Sequence, residues 1–227
     1  MIELDLSEAT AIITVGDGGG PNLLTIDTLV ELHRALDRIA GHESLRAVVV
    51  RGGGDRYFLA GADLNELARL DGESSLRFAR LGQSLFDKME RSGKLIVAAV
   101  DGYCMGGGID LLLACDLRYA TPSSVFSHPG LRMGIITGFG GTARLPGEVG
   151  CGRAWELFVT GRRFSALEAA EYGLISGVVE PGALMERCLE IARKAAAIPA
   201  ELVLVWKEGA ASRRDAVASC SGPDGMF

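Results

Sequence analysis

Two short stretches hold the residues through which this sequence could do chemistry. The first is Tyr57-Phe58-Leu59-Ala60-Gly61-Ala62-Asp63-Leu64, a strand-like approach into small residues, then an acid that opens a helix. Small side chains let a ligand touch the backbone, and N–H groups at a helix start lack an intrahelical acceptor, so they can donate to an oxyanion. An ordinary tight turn with Asp63 as a helix cap accounts for the same residues. The second stretch runs from Val97 to Leu111, where a buried strand turns through Gly106-Gly107-Gly108 into a strongly apolar helix. Three glycines there are costly, at ~1 kcal/mol each relative to alanine in a helix interior. Close packing of backbone on backbone explains that cost, and so does a ligand oxygen resting on the N–H of Gly107. Asp110 falls in the first turn of this helix, either as an acid favoured by the helix dipole or as a carboxylate available for general acid–base work.

The surrounding pattern supplies elements to position these stretches. Residues 9–15 alternate as a strand with Ala11, Ile13 and Val15 on one face. Thr25 caps a helix whose apolar stripe reads Ile26, Leu29, Val30, Leu36, Ile39 and Ala40, with His33 inside it as a packed boundary residue. Strands are expected at 46–51 and 95–100, extended pieces at 116–120 and 124–127, and helices at 63–70, 74–91 and 107–114. Beyond residue 140 the pattern turns helical, at 141–148, 152–159, 165–172, 182–196 and 199–211, broken by a short strand at 175–179. Strands alternating with helices, then helices alone, predict an α/β core with a helical C-terminal part.

Composition narrows the partners. The formal charge is -6 over 227 residues, so no global basic field attracts nucleic acid or an acidic membrane. The start, MIELDLSEAT, is acidic and lacks a long apolar run, which predicts neither signal peptide nor membrane span and makes the cytoplasm the expected location. The five cysteines form no C-x-x-C pair, and three histidines show no metal-ligand spacing, so free thiols and no metal are expected. Neither glycine run completes a phosphate-loop or dinucleotide fingerprint.

FLAGADLNEL followed by LIVAAVDGYCMGGGIDLLLACDLRYA resembles the paired segments of the enoyl-CoA hydratase/isomerase (crotonase) family. GPNLLTIDTLVELHRALD resembles that family's first helix region, and GFGGTARLPGEVGCGRAWELFVTGRRFSALEAAEYGLISGVV resembles its later half, so the likeness spans residues 9–207. The resemblance implies a crotonase-like α/β spiral of ββα units with a helical C-terminal trimerisation region. It places residues 1–198 in the core and 199–227 in a short helical segment with a frayed end. It further implies an acyl-CoA thioester substrate, coenzyme A entering only as part of that substrate, no permanently bound cofactor, and a homotrimer or dimer of trimers. Carried over by motif, the N–H groups of Ala62 and Gly107 become the oxyanion hole for a thioester enolate, and backbone around Ala60, Asp63 and Leu64 contacts the CoA moiety.

The sequence also departs from the family. Its hydratases use two glutamates; here the first position is Asp110 and the second is Gly130, next to His128-Pro129. One carboxylate suits proton shuttling in double-bond isomerisation better than two-acid hydration, and Gly130→Glu is expected to raise hydration if the pocket is otherwise intact. A non-catalytic acyl-CoA-binding member and a CoA-ester decarboxylase or hydrolase are the alternatives. His128 reads first as a tolerated loop residue, and Tyr57, Tyr103 and Tyr119 as equivalent hydrogen-bond donors. The chain reaches SRRDAVASCSGPDGMF soon after Lys207, where the family carries further helices, so Lys207, Arg213 and Arg214 become candidates for CoA phosphates.

Overall fold

The computed structural model describes residues 1–7 and 9–219, with side chains as far as residue 209. It opens with β1 (Ile2–Ser7), β2 (Thr10–Val15), β3 (Leu23–Leu24), α1 (Ile26–Ala40) and β4 (Ala47–Gly52). The two glycine-bearing stretches fall in β5 (Tyr57–Leu59), β6 (Gly61–Ala62), α2 (Leu64–Leu67), α3 (Gly72–Glu90), β7 (Leu95–Val100), β8 (Tyr103–Met105) and α4 (Gly107–Leu113). β9 (Leu117–Ala120), β10 (Val125–Ser127) and a 3-10 turn at Gly130–Met133 follow. The later part comprises α5 (Gly141–Val149), α6 (Cys151–Thr160), β11 (Phe164–Ser165), α7 (Ala166–Glu171), β12 (Gly177–Val178), α8 (Leu184–Ala196) and α9 (Ala200–Ser219). α9 runs beyond the expected 199–211 to Ser219, the first residue of the expected frayed end, whose remaining residues 220–227 lie outside the described residues.

The strands sort into a larger sheet ordered β1-β2-β4-β7-β9-β12, a smaller one ordered β11-β10-β8-β5, and the pair β3-β6. Only β1 pairs antiparallel in the larger sheet; β2, β4, β7, β9 and β12 run parallel to their neighbours. Both faces of its central strands are covered, which is why AVVV and LIVAAV are continuously apolar. Val48, Val50, Ile96, Ala98 and Val100 face the main core with Leu29, Leu85 and Leu111. Ala47, Val49, Val97 and Ala99 face the opposite side, where α8 lays down Leu184, Cys188, Ala192 and Ala195 at helical spacing.

Two readings shift. The α1 stripe turns toward Thr28, Leu32 and Ala35, and Ile26 is 37% exposed, because α1 packs against α3 on one side. His33 is the boundary residue expected, with Nε2 3.2 Å from both Leu81 O and Ser84 Oγ. β1 is an additional strand; its alternation of Ile2, Leu4 and Leu6 with exposed Glu3, Asp5 and Ser7 is that of a sheet edge packed on one face. Cys104, Cys115 and Cys188 are buried free thiols, and burial pushes Cys115 and Cys188 up to about 12; Cys151 is exposed. Cys220 lies outside the described residues.

Candidate active site

The two glycine-bearing stretches meet. Gly61 has φ of +95°, a conformation that disfavours side chains, and it brings β6 against the start of α4. A Cβ placed on Gly61 would lie 3.0 Å from Met105 O and 3.4 Å from Gly107 N. One residue further on, Ala62 pairs with Leu24 in the two-stranded β3-β6 ladder. Gly108 is packed as tightly, since a Cβ there would meet Leu59 O at 2.5 Å. Close backbone approach therefore accounts for these two glycines.

Asn22 locks this arrangement. It is 3% exposed, and its Nδ2 lies 2.7 to 3.2 Å from the carbonyls of Gly53, Tyr57 and Phe58. Its own carbonyl accepts the Ala60 N–H at 2.8 Å. The buried side-chain Nδ2 and the backbone carbonyl together fix the chain from 53 to 60, and losing the side chain would strand several buried carbonyls. Asn22 stands in an irregular segment, where no periodic pattern marks it.

As N1 of α4, Gly107 has an N–H with no intrahelical acceptor. A Cβ on Gly107 would be 3.3 Å from Leu24 Cδ1 and from two ring atoms of Phe139, so these side chains wall that spot. Phe139 sits against Phe78 and Phe86, with ring centroids 5.0 and 5.8 Å away. Its loop is held to α3 by Arg144, which donates to Phe139 O at 2.9 Å and pairs with Asp87 at 2.7 Å and Glu90 at 3.0 Å. Gln83 also donates to Gly138 O at 2.7 Å. Leu24 and Phe139 were not singled out in the sequence; each is an apolar residue flanked by loop.

Asp110 is fully buried. Its surroundings are polar: Thr137 Oγ1 donates to Oδ2, and His128 Nε2 lies 3.3 Å from Oδ1. Gly141 must lack a side chain, because a Cβ there would overlap Oδ1. His128 is thus drawn onto Asp110, 18 residues away in sequence, by the parallel pairing of β10 with β8. The imidazole also lies beside position 130: a Cβ on Gly130 would be 3.8 Å from His128 Cε1 but only 2.7 Å from Ile135 O.

The remaining expected residues fall as follows. Ala60 is half-buried and its N–H is already taken by Asn22. Asp63 caps α2, accepting from Asn65 N at 2.8 Å, and Leu64 is 52% exposed. Tyr57 and Tyr103 line a cleft of about 410 Å³ with Arg56 and Arg163, while Tyr119 packs beside Arg187. Lys207 does not face solvent as a phosphate ligand would: it is 5% exposed and pairs with Asp116 at 2.7 Å. It is drawn in because Lys94 O, 2.8 Å away, and Asp116 together satisfy its ammonium. The side chains of Arg213 and Arg214 lie outside the described residues. Among the described residues no cluster of His, Cys, Asp or Glu could hold a metal ion, and no helix is long and apolar enough to cross a membrane.

Fold and site together define an α/β protein in which two backbone turns and one buried acid converge. The family model for enoyl-CoA hydratase/isomerase matches residues 5–219, and the chain belongs to that family. It is 36% identical to a short-chain-enoyl-CoA hydratase of Clostridium acetobutylicum over 191 residues, covering 84% of this chain and 73% of the relative. A crotonyl-CoA hydratase of Syntrophomonas wolfei is also 36% identical, covering 84% and 74%. A solved enoyl-CoA hydratase from Bacillus anthracis superposes with a TM-score of 0.87 at 34% identity, covering 96% of this chain and 89% of that one. The fold is crotonase-like with a helical C-terminal region, and the chain is an enzyme of the hydratase/isomerase type.

Proposed function

We propose that this enzyme takes an enoyl-CoA thioester, holds its carbonyl oxygen between the N–H groups of Ala62 and Gly107, and moves a proton with Asp110. The observation that carries this reading is the contact of Gly61 with the Gly106-Gly107 backbone, with Asp110 buried one turn along the same helix. Two fixed N–H donors at a thioester oxygen stabilise the charge that appears when the α-proton leaves, without reorganisation at the moment of reaction. Losing one such donor costs about 3 kcal/mol of transition-state stabilisation in an unrelated enzyme class. Apolar Leu24 and Phe139 border Gly107, and an apolar surround strengthens a hydrogen bond to developing charge.

Asp110 then takes a proton from carbon and returns it to another carbon of the same acyl chain, a double-bond isomerisation. A single carboxylate at the site and glycine at 130 favour that reaction. Hydration is the second reading, favoured by the names of the relatives that act on short-chain enoyl-CoA and crotonyl-CoA. CoA enters as part of the substrate, contacting backbone at Ala60, Asp63 and Leu64. Exposed Trp155 and Val159 on α6, with Leu202, Val205 and Trp206 on α9, fit burial between subunits of a trimer or dimer of trimers.

Incubation with matched 2-enoyl and 3-enoyl CoA esters and with a malonyl-type ester, followed by mass analysis of the products, tests this. Interconversion without mass change supports isomerisation, gain of one water supports hydration, and loss of carbon dioxide from a malonyl-type ester supports decarboxylation. A folded protein that binds these esters and turns over none of them is a non-catalytic member, and the proposal falls.

A further inference from the structure

His128 is the titratable group that this reading leaves without a task. Its ring is 3% exposed, lies edge-on to Phe158 with centroids 4.7 Å apart, and sets Nε2 3.3 Å from Asp110 Oδ1. The other oxygen of Asp110 is committed: Phe139 N–H donates to Thr137 Oγ1 at 3.3 Å, which turns the single hydroxyl hydrogen of Thr137 toward Asp110 Oδ2. When Asp110 is ionised, the bond to Oδ1 requires Nε2 to carry the hydrogen. Nδ1 is then the lone-pair nitrogen, and it is buried without a partner among the described residues. A histidine kept only for packing would ordinarily have both nitrogens satisfied. Here only the nitrogen that meets the carboxylate is.

We propose that His128 is the positioning residue of the proton-transfer step, holding Asp110 through Nε2–H while Thr137 holds the other oxygen. This rests on the assignment of Asp110 as the proton carrier. With one donor on each oxygen the carboxylate cannot turn. The C–H bond of the substrate breaks, its electron pair passes into the enolate, and its proton goes onto a fixed carboxylate lone pair, from which it is delivered to the second carbon. Nε2 keeps its own hydrogen throughout, so no further acid or base is needed. Alignment of this kind is worth orders of magnitude in rate, because the reacting atoms need not search for their geometry.

The test compares His128→Phe, His128→Gln and Asp110→Asn, singly and combined, with steady-state kinetics on the ester turned over by the wild type and a thermal melt as the folding check. His128→Phe keeps the ring packing and removes the donor; it is expected to lower kcat by roughly 30-fold or more while KM stays within about threefold. His128→Gln offers an amide N–H in place of Nε2–H and is expected to recover at least about tenfold of that loss. Adding His128→Phe to Asp110→Asn is expected to cost less than about threefold more, since the two act as one unit. Turnover by His128→Phe within about threefold of wild type, no rescue by Gln, or losses that multiply would each overturn the proposal. If His128→Phe does not fold, His128→Met supplies the same contrast with Gln. Full activity in Asp110→Asn would instead remove the assignment of Asp110 itself; an inactive Asp110→Asn beside an active His128→Phe sinks only the role of His128.

Discussion

Two carboxylates stand at opposite ends of α4, Asp110 fully buried and Asp116 half-buried, and they are compensated in different ways. Asp116, just past its C-terminus, accepts the Ile96 N–H at 2.7 Å and pairs with the Lys207 ammonium at 2.7 Å. Burial raises its pKa, and Lys207 pulls it part of the way back. Asp110, in the first turn, has no Lys or Arg partner among the described residues; a hydroxyl and an imidazole serve its oxygens. A fixed cation ties an acid to its ionised form, because protonation forfeits the ion pair. Thr137 and His128 instead reach Asp110 through hydrogen bonds, with no Lys or Arg ion pair to forfeit among the described residues. One helix thus carries an acid that acts as a fastener and another to which the proposed function gives a proton to exchange.

The largest expected effect sharpens this contrast at Asp110. Asp110→Asn keeps the shape and the Thr137 contact but cannot take a proton, and turnover should fall about 10³-fold, within the range for loss of a general acid–base group. Calorimetric affinity for a CoA thioester should stay within about threefold, and stability within about 1 kcal/mol. Turnover above about a tenth of wild type would put Asp110 in the same structural class as Asp116. Next in size is Lys207→Met. Removing one partner of a buried pair costs about 3 kcal/mol, the low end of the usual range because Asp116 keeps 22% exposure. Urea melts measure this loss, and activity per folded molecule should be unchanged. A loss under about 1 kcal/mol would mean that solvent already serves both charges.

Much of the frame around this contrast was legible in the sequence, and the pairing of Asp116 with Lys207 was hidden for a physical reason. Strand 95–100 and the helices after 140 follow from apolar runs and period, since both depend on local sequence. Ala62, Gly107 and Asp110 come from contiguous motifs, and the structure brings their segments together. Asn22, Thr137 and Phe139 act from irregular loops through partners 27 or more residues away, such as Thr137 on Asp110, and no periodicity marks such positions. Lys207 misleads for the related reason that a lysine late in a helix reads as solvated until its acid partner is placed. The Gly130→Glu expectation fails on the same ground. A Cβ at 130 would stand 2.7 Å from Ile135 O, while Ile135 N donates to Gly130 O at 2.9 Å, so the turn has no room for it. Gly130→Glu should cost about 1–3 kcal/mol as overpacking does, with no gain in hydration. A stable Gly130→Glu enzyme with raised hydration would show that this turn yields.

The smallest effect is a pH dependence, and it separates the two acids without reference to catalysis. The folded-state pKa of Asp116 lies above its ordinary value of 3.8, so in the window that begins there and extends upward the folded state binds more protons than the unfolded state. Stability attributable to this group therefore falls as pH rises through the window and recovers as pH is lowered. Removing the cation takes away the main influence opposing burial, so in Lys207→Met the window widens upward. The deficit of Lys207→Met relative to wild type, about 3 kcal/mol near neutrality, should shrink by roughly 1 kcal/mol when urea melts are repeated near pH 5, because a neutral carboxyl no longer needs the ammonium. A deficit that is constant, or that grows as pH falls, would mean that Lys207 acts through its bonds to Lys94 O and Met89 O, and that charge on Asp116 does not set the difference between the two ends of α4.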